Sequence, residues 1–238
     1  VVFCTGFKSD MQGGKALALE AHCRAAGQQF TRFDYQGYGQ SSGDFAAGTI
    51  GAWLGDTLAV LDFVTAGPQI VVGSSMGGWI ALLAGRARPQ RVAGIVGIAA
   101  AVDLTRRLWN RIDEATRSIL QSNGVWIRPS EYDPAGYPIT MKLIEEGRNH
   151  LLLPGPIPFA GPVRLLHGQR DDAVPWQLSL DTAAALSGDQ VEVTLVKDGD
   201  HRLSRDEDIA RLLRTVAEVT DRLRASPSIL RDRSATSG

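Results

Sequence analysis

The sequence predicts an α/β protein, with a mostly parallel, doubly wound sheet and a small helical lid inserted between two of its strands. Three observations carry that expectation. Short apolar runs alternate with longer segments of helical periodicity along all 238 residues. Most of the runs are apolar throughout rather than alternating, as strands covered on both faces must be. One long interval, residues 104–160, breaks the alternation without supplying a convincing central strand.

Taken in order, the strand runs are residues 1–5, 30–35, 69–74, 92–100, 163–167 and 191–196. Between the second and third, Ile50, Trp53, Leu54, Thr57, Leu58 and Leu61 recur at helical spacing and give one apolar face. Residues 79–86 read as a helix following the third run. Inside the interruption, 106–121 and 141–146 read as helices, among Pro129, Pro134, Pro138, Pro154, Pro156 and Pro158. An insertion of this kind predicts a lid over the C-terminal edge of the sheet, where open α/β sheets bind ligands. Ile209, Leu212, Leu213, Val216, Val219 and Leu223 form the stripe of a last helix. Its start matches a capping box, Ser204-Arg205-Asp206-Glu207. Residues 226–238, rich in Ser and Arg, read as a frayed tail. The whole of 1–238 reads as one folded unit with no internal repeat.

Composition narrows the function. A chain 44% hydrophobic and 21% charged is an ordinary folded chain, not a disordered or fibrous one. Lys plus Arg number 25 against 26 Asp plus Glu, a formal net charge of −1. A near-neutral chain is a poor nucleic-acid binder, which needs a basic surplus to neutralise phosphates. No run approaches the ~18 apolar residues of a membrane span. Two cysteines, Cys4 and Cys23, are too few for a disulfide framework or a thiolate zinc site. Cys4 lies in an apolar run and reads as a buried free thiol, mildly favouring a reducing compartment. The chain opens on Val1 within a strand pattern and without a start Met, so further N-terminal sequence is expected upstream.

The chemistry begins at Gly73-Ser74-Ser75-Met76-Gly77-Gly78, a G-x-S-x-G pattern between a strand and a helix. In that context the pattern reads as a nucleophile elbow, a tight turn lifting the Ser75 hydroxyl above the sheet edge. Ser74 occupies the variable position and is the weaker candidate. A serine hydroxyl needs a base at neutral pH. Of four histidines, His22 lies in a helix, His150 in the insertion, and His167 at a strand end where it reads as structural. His201 follows the last strand in Lys197-Asp198-Gly199-Asp200-His201 and is the candidate base. The base needs a carboxylate to fix its tautomer. Asp171 is preferred, from the spacing Gly168-x-x-Asp171-x-x-Val174-Pro175, with Asp172 as runner-up and Asp200 read as a turn residue. The chain order Ser75, Asp171, His201 is that of the α/β-hydrolase fold.

A developing oxyanion needs preorganised donors. The backbone N–H groups of Met76, after the nucleophile, and Phe7, after the first strand, are the candidates. The glycine-rich stretch 32–43 lacks the third glycine of a dinucleotide fingerprint and no helix opens there, so a nucleotide reading is rejected. Neither a P-loop nor zinc-ligand spacing is found, and no cofactor or metal is expected. Leu108, Trp109, Trp126, Tyr132, Tyr137 and Trp176 are candidates to line an acyl pocket or to pack lid against core.

Residues 30–43, 73–79 and 167–177 together resemble one α/β-hydrolase family. It is that of the mitochondrial abhydrolase-domain proteins described as mycophenolic acid acyl-glucuronide esterase and palmitoyl-protein thioesterase. Residues 13–20, Gly124-Val125-Trp126, Pro156-Ile157-Pro158 and Asp200-His201-Arg202 extend the similarity along the chain. The resemblance implies a triad of Ser75, Asp171 and His201, with the Phe7 and Met76 amides as oxyanion donors. It also implies a small-molecule acyl ester or thioester substrate, including acyl-glucuronides and palmitoyl thioesters. A bacterial, cytoplasmic member is expected, mitochondrial if eukaryotic, as a monomer or homodimer. The rival expectations are a lipase, peptidase or C–C hydrolase of the same fold, and a non-catalytic receptor on a hydrolase scaffold.

Overall fold

A parallel six-stranded sheet organises the chain. The computed structural model describes residues 1–130, 133–153 and 155–225. The expected tail 226–238, with Tyr132 and Pro154, lies outside the described residues. The elements run β1 (Val2–Cys4), α1 (Gly14–Ala25), β2 (Thr31–Arg32), α2 (Ile50–Ala59), β3 (Gln69–Ser74), α3 (Met76–Ala87) and β4 (Val92–Ile98). The insertion holds α4 (Leu104–Arg111), α5 (Glu114–Asn123), β5 (Val125–Arg128), β6 (Tyr137–Thr140) and α6 (Met141–Gly147). The sheet resumes with β7 (Val163–Gly168), α7 (Gln177–Ala185), β8 (Val191–Val196) and α8 (Asp206–Ala225).

The strand order is β2-β1-β3-β4-β7-β8, every pairing parallel. Successive side chains of a strand enter opposite layers, because strand side chains alternate. Val71 and Ile95 pack with Trp53, Trp79 and Leu178 of α2, α3 and α7. Ile70, Val72 and Val96 pack with Leu19 of α1 and with Leu212, Val216 and Val219 of α8. Both layers being apolar is why the runs read as continuous rather than alternating. Fully burying a Leu or Val side chain contributes ~1.5–3 kcal/mol, so each α8 contact is a substantial share of its docking.

The chain steps from β1 outward to β2, then returns to pair β3 on the other side of β1. That reversal makes a crevice at the C-terminal ends of β1 and β3.

Four expectations are corrected. The strand over 30–35 shrinks to Thr31–Arg32, because Asp34 draws the chain off the sheet edge by accepting the Met11 and Gln40 amides at 2.7 and 3.0 Å. The helix over 106–121 is two helices, since the Asp113 carboxylate caps α5 by accepting the Thr116 amide at 2.8 Å. The lid is not purely helical: β5 and β6 pair as an antiparallel hairpin. Its strands are short, and Pro138 sits where a ladder donor would be, which hid them. Finally, α8 starts at Asp206 with the Arg205 carbonyl accepting the Ile209 amide, so Arg205 rather than Ser204 stands at the cap.

The two ends of the insertion meet at Asp103. This buried residue, at φ 54°, precedes α4. Its carboxylate accepts the Leu152 and Leu153 amides at 2.8 and 3.3 Å and pairs with Arg106 at 2.9 Å.

Candidate active site

Ser75 stands between β3 and α3 with φ 53° and ψ −117°, a conformation that residues with a Cβ seldom adopt. Three backbone hydrogen bonds hold it there. The Ser75 amide donates to Ile98 at 2.8 Å, and the Ser75 carbonyl accepts from Gly78 and Ala101 at 2.9 Å each. Two glycines make the approach possible: a Cβ on Gly73 would run into the Gly77 carbonyl, and one on Gly77 into the Cys4 carbonyl. The glycines of the G-x-S-x-G pattern therefore answer a steric demand.

His201 arrives on the loop between β8 and α8. Its Nε2 lies 3.1 Å from Ser75 Oγ and its Nδ1 lies 2.7 Å from Asp171 Oδ2. A carboxylate acceptor at Nδ1 puts the ring hydrogen there and leaves Nε2 free to accept the serine hydroxyl proton. Asp171 follows β7, and its side chain is fully buried. Its second oxygen accepts the Ala173 and Val174 amides at 2.9 and 2.8 Å. Burial works against the Asp171 charge. Hydrogen bonds from His167 and His201, the His201 charge and the Val174 amide outweigh it and hold the carboxyl well below the usual carboxylate range.

His167 has more to do than its strand-end position suggests. It is fully buried, and its Nε2 lies 3.0 Å from both Asp171 Oδ2 and the Val174 carbonyl. Two acceptors at Nε2 place a hydrogen on it, and Ser179 Oγ faces Nδ1 at 2.7 Å. The signal for this partnership was the four-residue spacing from His167 to Asp171 across Gly168, a spacing with no motif attached to it.

Of the two amides expected as oxyanion donors, that of Met76 follows the serine directly. Met76 is the first residue of α3, so its N–H belongs to the first-turn amides that lack an intrahelical acceptor. The Gly6-Phe7 loop runs alongside: a Cβ on Gly6 would stand 3.5 Å from Ser75 Cβ. The Phe7 ring is held edge-on by Phe45, Trp53 and Tyr137, with centroids 5.0, 5.9 and 6.0 Å away. Next to it, Lys8 binds Asp133 of the insertion at 2.6 Å and the Gly136 carbonyl at 2.8 Å.

Ser75 and His201 open into a groove of about 900 Å³. From the insertion, Leu104, Leu108, Tyr137, Ile139 and Leu143 line it. Of the other acyl-pocket candidates, Trp126 lines an adjoining cleft, and Trp109 lies against Arg117, 5.5 Å from guanidinium carbon to ring centroid. Trp176 stands at the start of α7, away from the described groove lining. Asp172 is exposed at the groove. Asp200 accepts the Leu203 amide at 2.9 Å, a turn contact. His150 pairs with Glu146 at 2.5 Å, and His22 lies in the last turn of α1. Cys4 and Cys23 are both buried free thiols, and burial pushes the Cys4 thiol up to about 11. Among the described residues, no helix is long and apolar enough to cross a membrane.

Comparison with known proteins agrees with this architecture. The family Hydrolase_4, described as serine aminopeptidase, S33, matches residues 1–151, a stretch that includes Ser75. Palmitoyl-protein thioesterase ABHD10, mitochondrial, of Mus musculus is 43% identical over 224 residues, covering 94% of this chain and 75% of the mouse protein. The solved structure of alpha/beta hydrolase domain-containing protein 10 from mouse superposes with a TM-score of 0.88, covering 93% of this chain and 89% of that one. A putative hydrolase from Agrobacterium vitis S4 is 40% identical with a TM-score of 0.89, covering 92% of this chain and 86% of that one.

Proposed function

Because the chain belongs to the α/β-hydrolase family described as serine aminopeptidase, S33, we propose that it cleaves carboxylic esters and thioesters through Ser75, His201 and Asp171. The observation that carries this reading is the hydrogen-bonded line from Ser75 Oγ through both ring nitrogens of His201 to a buried, ionised Asp171.

In the proposed reaction, His201 Nε2 takes the hydroxyl proton as Ser75 Oγ bonds to the acyl carbon. The carbonyl π electrons move onto oxygen, and in this reading the Phe7 and Met76 amides are the donors that stabilise the resulting charge. The oxyanion collapses, the bond to the alkoxide or thiolate breaks, and His201 returns the proton to that leaving group. Water repeats the sequence on the acyl-enzyme, releasing the acid and restoring Ser75. Asp171 keeps the imidazole in the right tautomer and offsets its positive charge without taking the proton. The groove is wide enough for an acyl chain and carries apolar side chains to receive one. The palmitoyl thioester in the mouse relative's name is accordingly the first substrate to try.

The test is direct. Ser75→Ala is expected to lose at least ~10³-fold in kcat with the fold intact. A fluorophosphonate probe should label the wild type stoichiometrically at Ser75 and leave the variant unmodified. An unlabelled wild type would turn the reading toward a receptor on this scaffold. Asp171→Asn should cost far more activity than Asp172→Asn, and the reverse order would transfer the carboxylate role to Asp172.

A further inference from the structure

A second cleft adjoins the groove. α4 places Arg107 and Arg111 one turn apart, and β5 ends in Arg128. With Trp126, these three arginines line a space of about 180 Å³. Leu104, Leu108, Arg128 and Ala173 line both this space and the groove of Ser75 and His201, so the two volumes share a wall.

Three cationic side chains are gathered here. Like charges at i, i+4 repel. Arg107 Nη1 is buried and has no hydrogen-bond acceptor among the described residues, a costly arrangement. Burial, and then the Arg111 charge, pull the Arg107 pKa down against the opposing effect of Asp171 and Asp103. Those two carboxylates are engaged elsewhere. Asp103 holds Arg106 and the Leu152 and Leu153 amides, and Asp171 holds two imidazoles and two amides. Arg111 gives one donor to the Ala173 carbonyl at 3.0 Å, which fixes the helix against the loop that carries Asp171.

We propose that this cleft is a subsite for an anionic group on the substrate, a carboxylate or a phosphate, held by Arg107, Arg111 and Arg128 beside the bond that Ser75 attacks. Guanidinium forks match both groups in a bidentate way. Trp126 offers a flat apolar wall for whatever carries the charge. The link to turnover rests on the hydrolase reading, whereas anion binding itself does not.

Paired esters test the link. Neutral p-nitrophenyl butyrate is compared with the anionic mono-p-nitrophenyl ester of adipic acid, and phenyl butyrate with 4-carboxyphenyl butyrate. In one pair the charge rides on the acyl group, and in the other on the leaving group. The ratio of kcat/KM for charged over neutral ester in at least one pair should fall ~10-fold or more in Arg107→Gln and in Arg128→Gln. Arg107→Lys should recover part of it. Reading the ratio within each variant removes general damage to the fold or to Asp171. Ratios equal in wild type and both Gln variants, for both pairs, would overturn the subsite.

Calorimetric titration of Ser75→Ala protein with inorganic phosphate and with benzoate separates the two anion sources. Saturable binding of either, lost in Ser75→Ala/Arg128→Gln, supports the subsite, and binding of neither refutes it. A wild type that hydrolyses no ester refutes the hydrolase reading alone and leaves this titration to decide the cleft.

Discussion

Asp171 receives four hydrogen bonds, from two imidazoles and two backbone amides, and no exposed carboxylate could be held so firmly. Its neighbour Asp172 has the same chemistry, but these four donors all go to Asp171, which is why spacing alone could favour one acid and leave the other open. Ser75, Asp171 and His201 were legible because a strand–turn–helix context and chain order constrain them. His167 was not, because its partners come from a turn and from Ser179 on α7, and only folding brings these together. His167→Leu would leave Ser179 and one Asp171 oxygen short of a partner in a buried site. The expected cost is ~1–3 kcal/mol of stability. Loosening Asp171 by the equivalent of one such bond should also cost about tenfold in kcat/KM. Urea unfolding and steady-state kinetics check both, and wild-type values in both would leave His167 without a role.

Among elements, the loop after β1 and the insertion act on each other. Phe7 packs on Tyr137 of β6, and Lys8 reaches from beside Phe7 to Asp133 and Gly136. The Lys8–Asp133 pair is about 30% exposed on each side, 29% and 31%, so solvent screens it and its effect on stability should be small. Its effect belongs to placement instead. Lys8→Met is expected to change Tm little and to lower kcat several-fold, by loosening the Gly6-Phe7 loop that passes Ser75. A large loss of stability with kcat intact would reverse that assignment. The element pattern of the sheet was readable because both its layers are apolar. The hairpin was not, since Val125 and Ile127 are exposed and its burial gives no core stripe to follow. The Asp113 cap is the local signal that divides 106–121 into two helices.

For the whole molecule, several carboxylates titrate low in the folded chain. Asp171 does so for the reasons given above. Asp208 is held down first by its hydrogen bond from Arg205, and Glu218 by that from Arg164. Each binds its proton more readily unfolded than folded, so acid favours the unfolded chain. Their stabilisation is fully present above the unfolded carboxylate range, about pH 4, begins to fall there, and is lost as pH passes down through the lowered folded range. Thermal melts from pH 7 to pH 3 should show Tm dropping steeply at the acid end. Asp171→Asn should show a shallower drop from a lower start, and an acid limb as steep as wild type would mean that Asp171 contributes nothing to it. The strand order and the reversal between β1 and β3 were the least legible features, because pairing partners are chosen in space and leave no local mark. Asp103 has a consequence at this scale. It fastens the exit of 104–153 to its entry, with β4 and β7 already side by side, so that segment is a cassette closed at its base. Evolution or an engineer could exchange its contents for a different substrate vestibule without re-registering a single sheet strand.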